Sequence, residues 1–316
     1  MIDLKHVACP LCGSNKAHRS YTLDRSELIR LWDAINVDVQ KLISQDVMLL
    51  KCQKCDLGFY YPPTPGDDEF YSELAAFSWY YTHSGKTEFL IAAALLSSGM
   101  RVIDVGCGIG EFSENIPPDV SYLGVDLSSR SVEIAQKLGR NVKQLDISQA
   151  LERAGTGYDL VTCFQVLEHL VTIDDFLEGL KALLAPQGLM VIAVPNNDGF
   201  LSGAINNRFN MPPHHELLWN RRSLEFMADK FGLEVVHFEN ECLQGVHLKW
   251  YTAIWFRSTV AKVLGIPLRP ICFSLFERVL GKIGAGFAYF CSGFVNAGSV
   301  QGHSSVIVLR KRSNAI

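Results

Sequence analysis

Residues 102–112 read VIDVGCGIGEF, an apolar run that breaks into a turn carrying Gly106, Gly108 and Gly110. Glycine lets a backbone turn tightly and lets a ligand approach with no Cβ in the way. A helix starting after such a turn offers N–H groups that its own backbone leaves unpaired. A bare G-x-G-x-G is equally what a plain strand-to-helix turn would use, so the flanking sequence has to decide. Asp126 ends the next apolar run, SYLGVDL, twenty residues after Gly106. A carboxylate there can accept from both hydroxyls of a ribose. Asp146 ends a third run, NVKQLDI. Glycine turn and carboxylates thus fall at the C-terminal ends of successive strands, the edge where open α/β sheets bind ligands.

Outward from this centre, short apolar runs alternate with amphipathic stretches from about 86 to 242. MRVIDVG, SYLGVDL, NVKQLDI, YDLVTCF, GLMVIAVP and LEVVHFE read as strands, with SSVIVLRKR as the last. SSRSVEIAQKLG fits a helix between them, opened by serine and stopped by Gly139. The pattern predicts an α/β, Rossmann-like, seven-stranded sheet.

In this order VIDVGCGIGEF, GVDLS, LDIS, YDLVTCFQVLEHL and LAPQGLMVIAVPN resemble the class I S-adenosylmethionine-dependent methyltransferases. The resemblance covers about residues 86–242 plus the last strand. A dinucleotide-binding dehydrogenase would need G-x-G-x-x-G, and this turn is spaced differently. The resemblance implies S-adenosylmethionine as cofactor and gives each matching position a role. Asp104 and the turn Gly106, Cys107, Gly108 and Gly110 would hold the methionine amino end. Asp126 would take the ribose, with Leu127 under the adenine. Asp146 and Ile147 would contact the exocyclic amine and ring edge. Phe164, Gln165 and His169 would line the cofactor near its sulfonium. Glu168 reads either as a substrate-side catalytic residue or as a carboxylate suited to the first turn of an amphipathic helix. Gln187 stands where the family usually has glycine, at a turn away from the pocket.

Nine cysteines are an odd count, and four form two C-x-x-C pairs: Cys9 with Cys12, and Cys52 with Cys55. Four thiolates make a closed tetrahedral zinc site with no open position, hence a structural one. The contexts CPLCG and KCQKCDLGF resemble zinc knuckles, with His6 and His18 as substitute ligands. The reading is a small zinc-ribbon-like lobe over 1–65, including a helical-looking stretch over 24–43. A linker or cap at 66–85 follows the prolines of YYPPTPGDDEFY, and then a methyltransferase domain over 86–316. Similar lobes cap the active site of some sugar methyltransferases, and by that resemblance Tyr71, Tyr80 and Tyr81 would close over the acceptor.

Bulk properties exclude little but are informative locally. The net charge of −4 shows no nucleic-acid footprint. MIDLKHVACPLC carries no apolar core of signal-peptide length, so a cytoplasmic location is expected. Residues 243–300 form an insertion before the last strand. In it Lys249, Arg257, Lys262, Arg269, Arg278 and Lys282 oppose Glu277 alone, a net charge of +5 amid aromatic residues. That pattern suits a helix lying on an anionic membrane surface, so peripheral contact is one expectation. Packing on the enzyme itself or on a second subunit, as a homodimer, is the other.

Residues 210–219, NMPPHHELLW, fall on the acceptor side of the cofactor in this fold. His214 and His215 are candidate bases for a hydroxyl acceptor, His215 before His214, against a plain turn whose histidines bond the backbone. With four cysteines for zinc, a metal role for these two is not expected. The acceptor reading is O-methylation of a sugar or glycan hydroxyl, free or lipid-linked. C-methylation of a nucleotide-linked keto-sugar and O-methylation of a lipid quinone or phenol are the alternatives. A non-catalytic zinc-dependent assembly module is the reading from another class.

Overall fold

The computed structural model describes residues 4–77, 85–267 and 269–312. The N-terminal region is a small antiparallel sheet, β1 (Ala17–Leu23), β2 (Val47–Cys52) and β3 (Gly58–Tyr61). Between its first two strands lies α1 (Arg25–Asp33), started by Asp24, whose carboxylate accepts from the N–H groups of Ser26 and Glu27. The helix buries Leu28, Leu31 and Trp32 and stops at Asp33. The helical pattern was expected to run to residue 43, but the chain leaves the helix through Asn36 at φ 59°. After β3 the expected linker gives way to α2 (Asp68–Ala75), capped by Asp67. Its prolines lie before the helix, where they cost nothing.

The larger sheet contains every strand the sequence predicted. α3 (Thr87–Ala93) precedes β4 (Arg101–Val105), β5 (Ser121–Asp126) and α4 (Ser129–Lys137). Next come β6 (Val142–Gln144), α5 (Ile147–Ala154), β7 (Tyr158–Phe164), α6 (Asp174–Leu183) and β8 (Leu184–Pro195). The short β9 (Leu217–Leu218), α7 (Arg221–Lys230) and β10 (Leu233–Cys242) complete this part. The insertion supplies α8 (Leu248–Val263) and α9 (Leu275–Cys291), and β11 (Gln301–Lys311) closes the sheet. The order is β6-β5-β4-β7-β8-β11-β10, with β11 antiparallel to both neighbours. The chain winds outward in both directions from β4, so the crevice at the C-terminal ends of β4 and β7 is where a ligand fits.

Alternation along the strands sorts side chains onto two faces. Val102, Leu160, Val191 and Val306 pack with Phe89 of α3 on one face. Ile103, Val161, Ile192 and Ile307 face the other way, into a core continuous with Cys9, Leu11 and Leu57 of the N-terminal region. That region is therefore sealed onto the sheet. β9 pairs with β3, Gly58 opposite Leu218. A Cβ on Gly58 would lie 3.0 Å from Leu218 Cβ, so glycine permits the approach.

The insertion is a helical hairpin. Arg257 donates to Glu277 at 2.6 Å, both side chains about 10 % exposed, which ties α8 to α9. Its outer surface shows Trp255, Phe276, Val279, Ile283, Tyr289 and Phe290 to solvent. Among the described residues no helix is long and apolar enough to cross a membrane.

Candidate active site

One cavity of about 1020 Å³ opens at the C-terminal ends of the sheet strands. At one end lies the glycine turn. Gly106, Gly108 and Gly110 sit at φ 73°, 56° and 74°, conformations that L side chains rarely adopt. A Cβ on Gly106 would fall 2.3 Å from Val166 Cγ2, so any side chain here would have to displace Val166. The element after the turn is a 3-10 helix, Glu111–Asn115, shorter than the helix the sequence suggested.

Asp126 accepts from Gly108 N at 2.7 Å and Ser128 N at 2.8 Å, which locks the turn to the end of β5. Burial pushes its carboxyl above the usual range. Asp104 is raised further, to about 6, by burial that outweighs hydrogen bonds from Thr162 and Tyr122. Leu127 is 69 % exposed and presents an apolar side chain on the cavity wall. Asp146 lines the cavity too, but its Oδ1 caps α5 by accepting from Gln149 N and Ser148 Oγ. Gln165, at φ 56°, donates to Glu88 and Ser304.

At the other end four chemistry-bearing residues meet. His169, His214 and His215 have ring centroids 4.5–4.9 Å apart. Glu168 Oε1 lies 4.0 Å from His215 Nε2, too far for a hydrogen bond. Glu168 is 1 % exposed, and neither of its carboxyl oxygens has a hydrogen-bond partner among the described residues. Burial, aided by the field of Glu88, raises its carboxyl to about 8. Burial lowers His169 to about 4 and drives His214 and His215 well below the usual histidine range, so all three rings are neutral. Glu168 and His169 sit in a 3-10 turn, Leu167–His169, not at the head of an amphipathic helix. The helix-dipole reading of Glu168 therefore falls.

The N-terminal region holds the histidines in place. Trp32 Nε1 donates to Pro212 O at 3.0 Å, Gly66 N to Pro213 O at 2.8 Å, and Tyr60 OH to Asn210 O at 3.0 Å. Tyr71 OH lies 3.2 Å from His169 Nδ1, and its ring packs edge-on to that imidazole. Glu216 N donates to Glu168 O at 2.7 Å, joining the segment to the 3-10 turn. Tyr80 and Tyr81, expected beside Tyr71, lie outside the described residues.

The four paired cysteines come together away from the cavity. Cys9 Sγ is 3.5 Å from Cys55 Sγ, and Cys12 Sγ is 3.5 Å from Cys52 Sγ. All four sulfurs lie within 4.8 Å of one another. Zinc bound tetrahedrally by thiolates separates sulfurs by about 3.8 Å, so the donor set fits that ion. Gly13 and Asp56, each just after a second cysteine, share φ 67° and turn the two knuckles alike. α7 backs them: Lys230 donates to Leu11 O, and Asn220, its N-cap, donates to Asp56. His6 and His18 are not in this cluster.

Sequence reasoning missed a further group on the cavity wall: Glu88, Glu241, Gln244, His247, Trp250 and His303. Glu241 accepts from the N–H groups of His303 and Ser304, so the ends of β10 and β11 meet at a buried carboxyl. Charged residues ending predicted strands, as with Asp126, were the available signal, and Glu241 follows LEVVHFE too closely to stand out.

Comparison with known proteins agrees with this geometry. The family described as "Methyltransferase domain" matches residues 80–238, half of the chain. The ubiquinone biosynthesis O-methyltransferase of Brucella ovis is 33% identical over 105 residues, 31% of this chain and 42% of that protein. That of a Chelativorans species is 32% identical over 110 residues, 33% and 44%. The chain thus matches about two-fifths of the length of these curated relatives. A coclaurine N-methyltransferase structure with N-methylheliamine and SAH shares 16% identity, covering 73% of this chain and 74% of that one, TM-score 0.44. A SAM-dependent methyltransferase from Archaeoglobus fulgidus shares 20%, covering 71% and 95%, TM-score 0.44. With the family matched over half its length and the glycine turn and strand order in place, the chain belongs to the class I S-adenosylmethionine-dependent methyltransferases.

Proposed function

We propose that the protein methylates a hydroxyl of a lipid-linked acceptor, first of all a sugar or glycan hydroxyl. The observation that carries this reading is Glu168, a buried carboxyl with both oxygens unpartnered, beside neutral imidazoles in the cavity that holds the glycine turn. Bound S-adenosylmethionine supplies a sulfonium methyl, and its transfer to a hydroxyl forms O–CH3, breaks S–CH3 and releases the hydroxyl proton. Gly106, Cys107 and Gly108 would approach the methionine end, with Asp104 behind them, while Gly110 lies off the cavity lining against Val142. Asp126 takes the ribose, and Leu127, Asp146 and Ile147 the adenine. Phe164, Gln165 and His169 wall the sulfonium side. The acceptor hydroxyl would face His215, whose neutral imidazole orients it and takes its proton, with Glu168 beside that ring and His214 stacked behind. Alignment and proton removal are the two things this displacement needs.

A lipid quinone or phenol is the second reading, supported by the names of the curated relatives. Either acceptor suits the hairpin, since Val246, His247 and Trp250 line the cavity just where α8 begins. Its exposed aromatic residues, with Lys249, Lys262, Arg278 and Lys282, would rest on an anionic lipid surface. Flotation with anionic but not neutral vesicles tests this contact, and no flotation with either excludes it.

The central test incubates protein and labelled cofactor with cell extract divided into aqueous and lipid phases. Label in a lipid-phase glycan supports the first reading, and label in a lipid phenol the second. Label in nucleic acid alone, or no binding of S-adenosylmethionine by calorimetry, overturns the proposal. Glu168→Gln and His215→Ala should lower turnover by about 10²–10⁴-fold while leaving cofactor affinity nearly unchanged.

A further inference from the structure

We propose that His169, His214 and His215 form a three-imidazole site for a divalent transition-metal ion inside the cavity, with Glu168 as its charge partner. Each ring offers a ligating nitrogen, and the three atoms lie within 4.8 Å of one another. Each Nδ1 faces an oxygen: His169 the carbonyl of His214 at 2.5 Å, His214 that of Phe209 at 3.0 Å, and His215 the side-chain oxygen of Asn210 at 3.1 Å. Carbonyl oxygens only accept. The Asn210 oxygen is fixed as an acceptor because its amide nitrogen donates to Asn197. Every Nδ1 therefore carries the proton, and Nε2 is left as the basic nitrogen. Metal-ligating histidines characteristically have their other ring nitrogen bonded to an oxygen in this way.

Glu168 supplies the independent observation. Its two oxygens are buried without a hydrogen-bond partner among the described residues, and Oε1 lies 4.0 Å from His215 Nε2. Buried carboxyl groups are ordinarily paired or bound to metal. Three imidazoles and one carboxyl are also a donor set that transition metals accept, and the cavity side leaves a position open. The Cys9–Cys12–Cys52–Cys55 cluster, by contrast, closes on itself.

Binding must reshape the cluster. Imidazole nitrogens sharing a tetrahedral ion stand about 3.3 Å apart. His214 and His215 now stack at 25°, so at least one ring has to turn toward the ion. An ion there would draw electron density from the acceptor oxygen and polarise its O–H bond. That role rests on the hydroxyl-methylation reading, whereas the binding itself does not.

The test uses the full chain with its four-cysteine site filled by one equivalent of zinc, then titrated with Co²⁺ alone. Metal content and visible d–d absorption are read together. The wild-type protein should take a second equivalent with an imidazole-type spectrum. His169→Ala and His215→Gln should weaken that uptake at least tenfold while keeping the zinc. Melting curves identify any variant that fails to fold, and the near-isosteric His215→Gln then carries the result. Uptake of zinc alone by the wild-type protein, or unchanged Co²⁺ binding in a folded variant, overturns the metal site. Cofactor calorimetry is run on the same samples. Cofactor binding without a second metal removes this site and leaves the methyltransferase reading. A second metal without cofactor binding does the reverse.

Discussion

At the glycine end of the cavity, Gly106, Gly108, Asp126 and Asp146 come from the ends of three consecutive strands, within about forty residues of chain. At the imidazole end, Glu168 and His169 come from a 3-10 turn, and His214 and His215 from a segment forty-five residues later. Bonds from Trp32, Tyr60 and Gly66 hold that second segment in place. The first end is made by local backbone geometry; the second is assembled by packing and depends on the four-cysteine region. The sharpest way to break this contrast is Cys52→Ser, which removes one thiolate from the closed site. Melting temperature should drop by on the order of 10 °C, and turnover should be lost. Cofactor affinity, measured below the transition, should stay within about threefold, because most of its binding surface, from Asp104 to Ile147, comes from β4 to β6 and the turns after them. Equal loss at both ends would show that the cavity is one cooperative unit.

The converse variant is Gly106→Ala. A methyl group there meets Val166 at 2.3 Å and occupies φ 73°. The strain costs roughly 1–2 kcal/mol of stability. Cofactor affinity should fall on the order of tenfold or more, equivalent to 1.4 kcal/mol. Turnover at saturating cofactor should recover if the imidazole end is independent, and calorimetry beside steady-state kinetics separates the two.

A smaller effect comes from pH. Burial raises Asp104 from 3.8 to about 6, and below that pH it is protonated. Its raised value means that its contribution to folding stability is greatest below its unfolded value and is lost as pH rises through about 6. Cofactor binding runs the other way, because a protonated Asp104 offers no charge to the methionine ammonium. Affinity should therefore fall several-fold as pH drops from about 7 to 5 while the apoprotein gains stability from this group. Asp104→Asn should flatten both profiles, and affinity that ignores pH would remove Asp104 from the cofactor end.

The same contrast explains what could be read in advance. All seven sheet strands were legible because alternation and the glycine turn are local signals, and Asp126 and Asp146 followed from them. The cysteine cluster was legible because C-x-x-C puts two ligands on one turn. Its sheet was not, since β9, two residues long, joins β3 from about 160 residues away and has no periodicity of its own. PPHH could be noticed, but nothing in sequence spacing brings His169 against it or leaves the Glu168 carboxyl without a partner among the described residues. Those are products of packing between segments. The helix expected over 24–43 failed for a related reason: its later half stays apolar because Val37, Val39 and Ile43 are buried without being helical.

The finest probe of the assembled end is Trp32→Phe. The indole is fully buried, packs edge-on against Phe70 and Phe209 at 5.1 and 5.6 Å, and donates to Pro212 O. Phenylalanine keeps most of the apolar contact and removes the one donor. The abandoned carbonyl should cost about 1–3 kcal/mol, and the segment carrying His214 and His215 should loosen where it enters the site. Turnover should fall a few-fold with cofactor affinity unchanged, since the indole touches nothing at the glycine end. Near-wild-type turnover would mean that Gly66 and Tyr60 alone hold the segment. A matching loss of cofactor affinity would mean that the two ends communicate through the core shared by the four-cysteine region and β4, where Leu11 and Ile103 belong to one buried cluster.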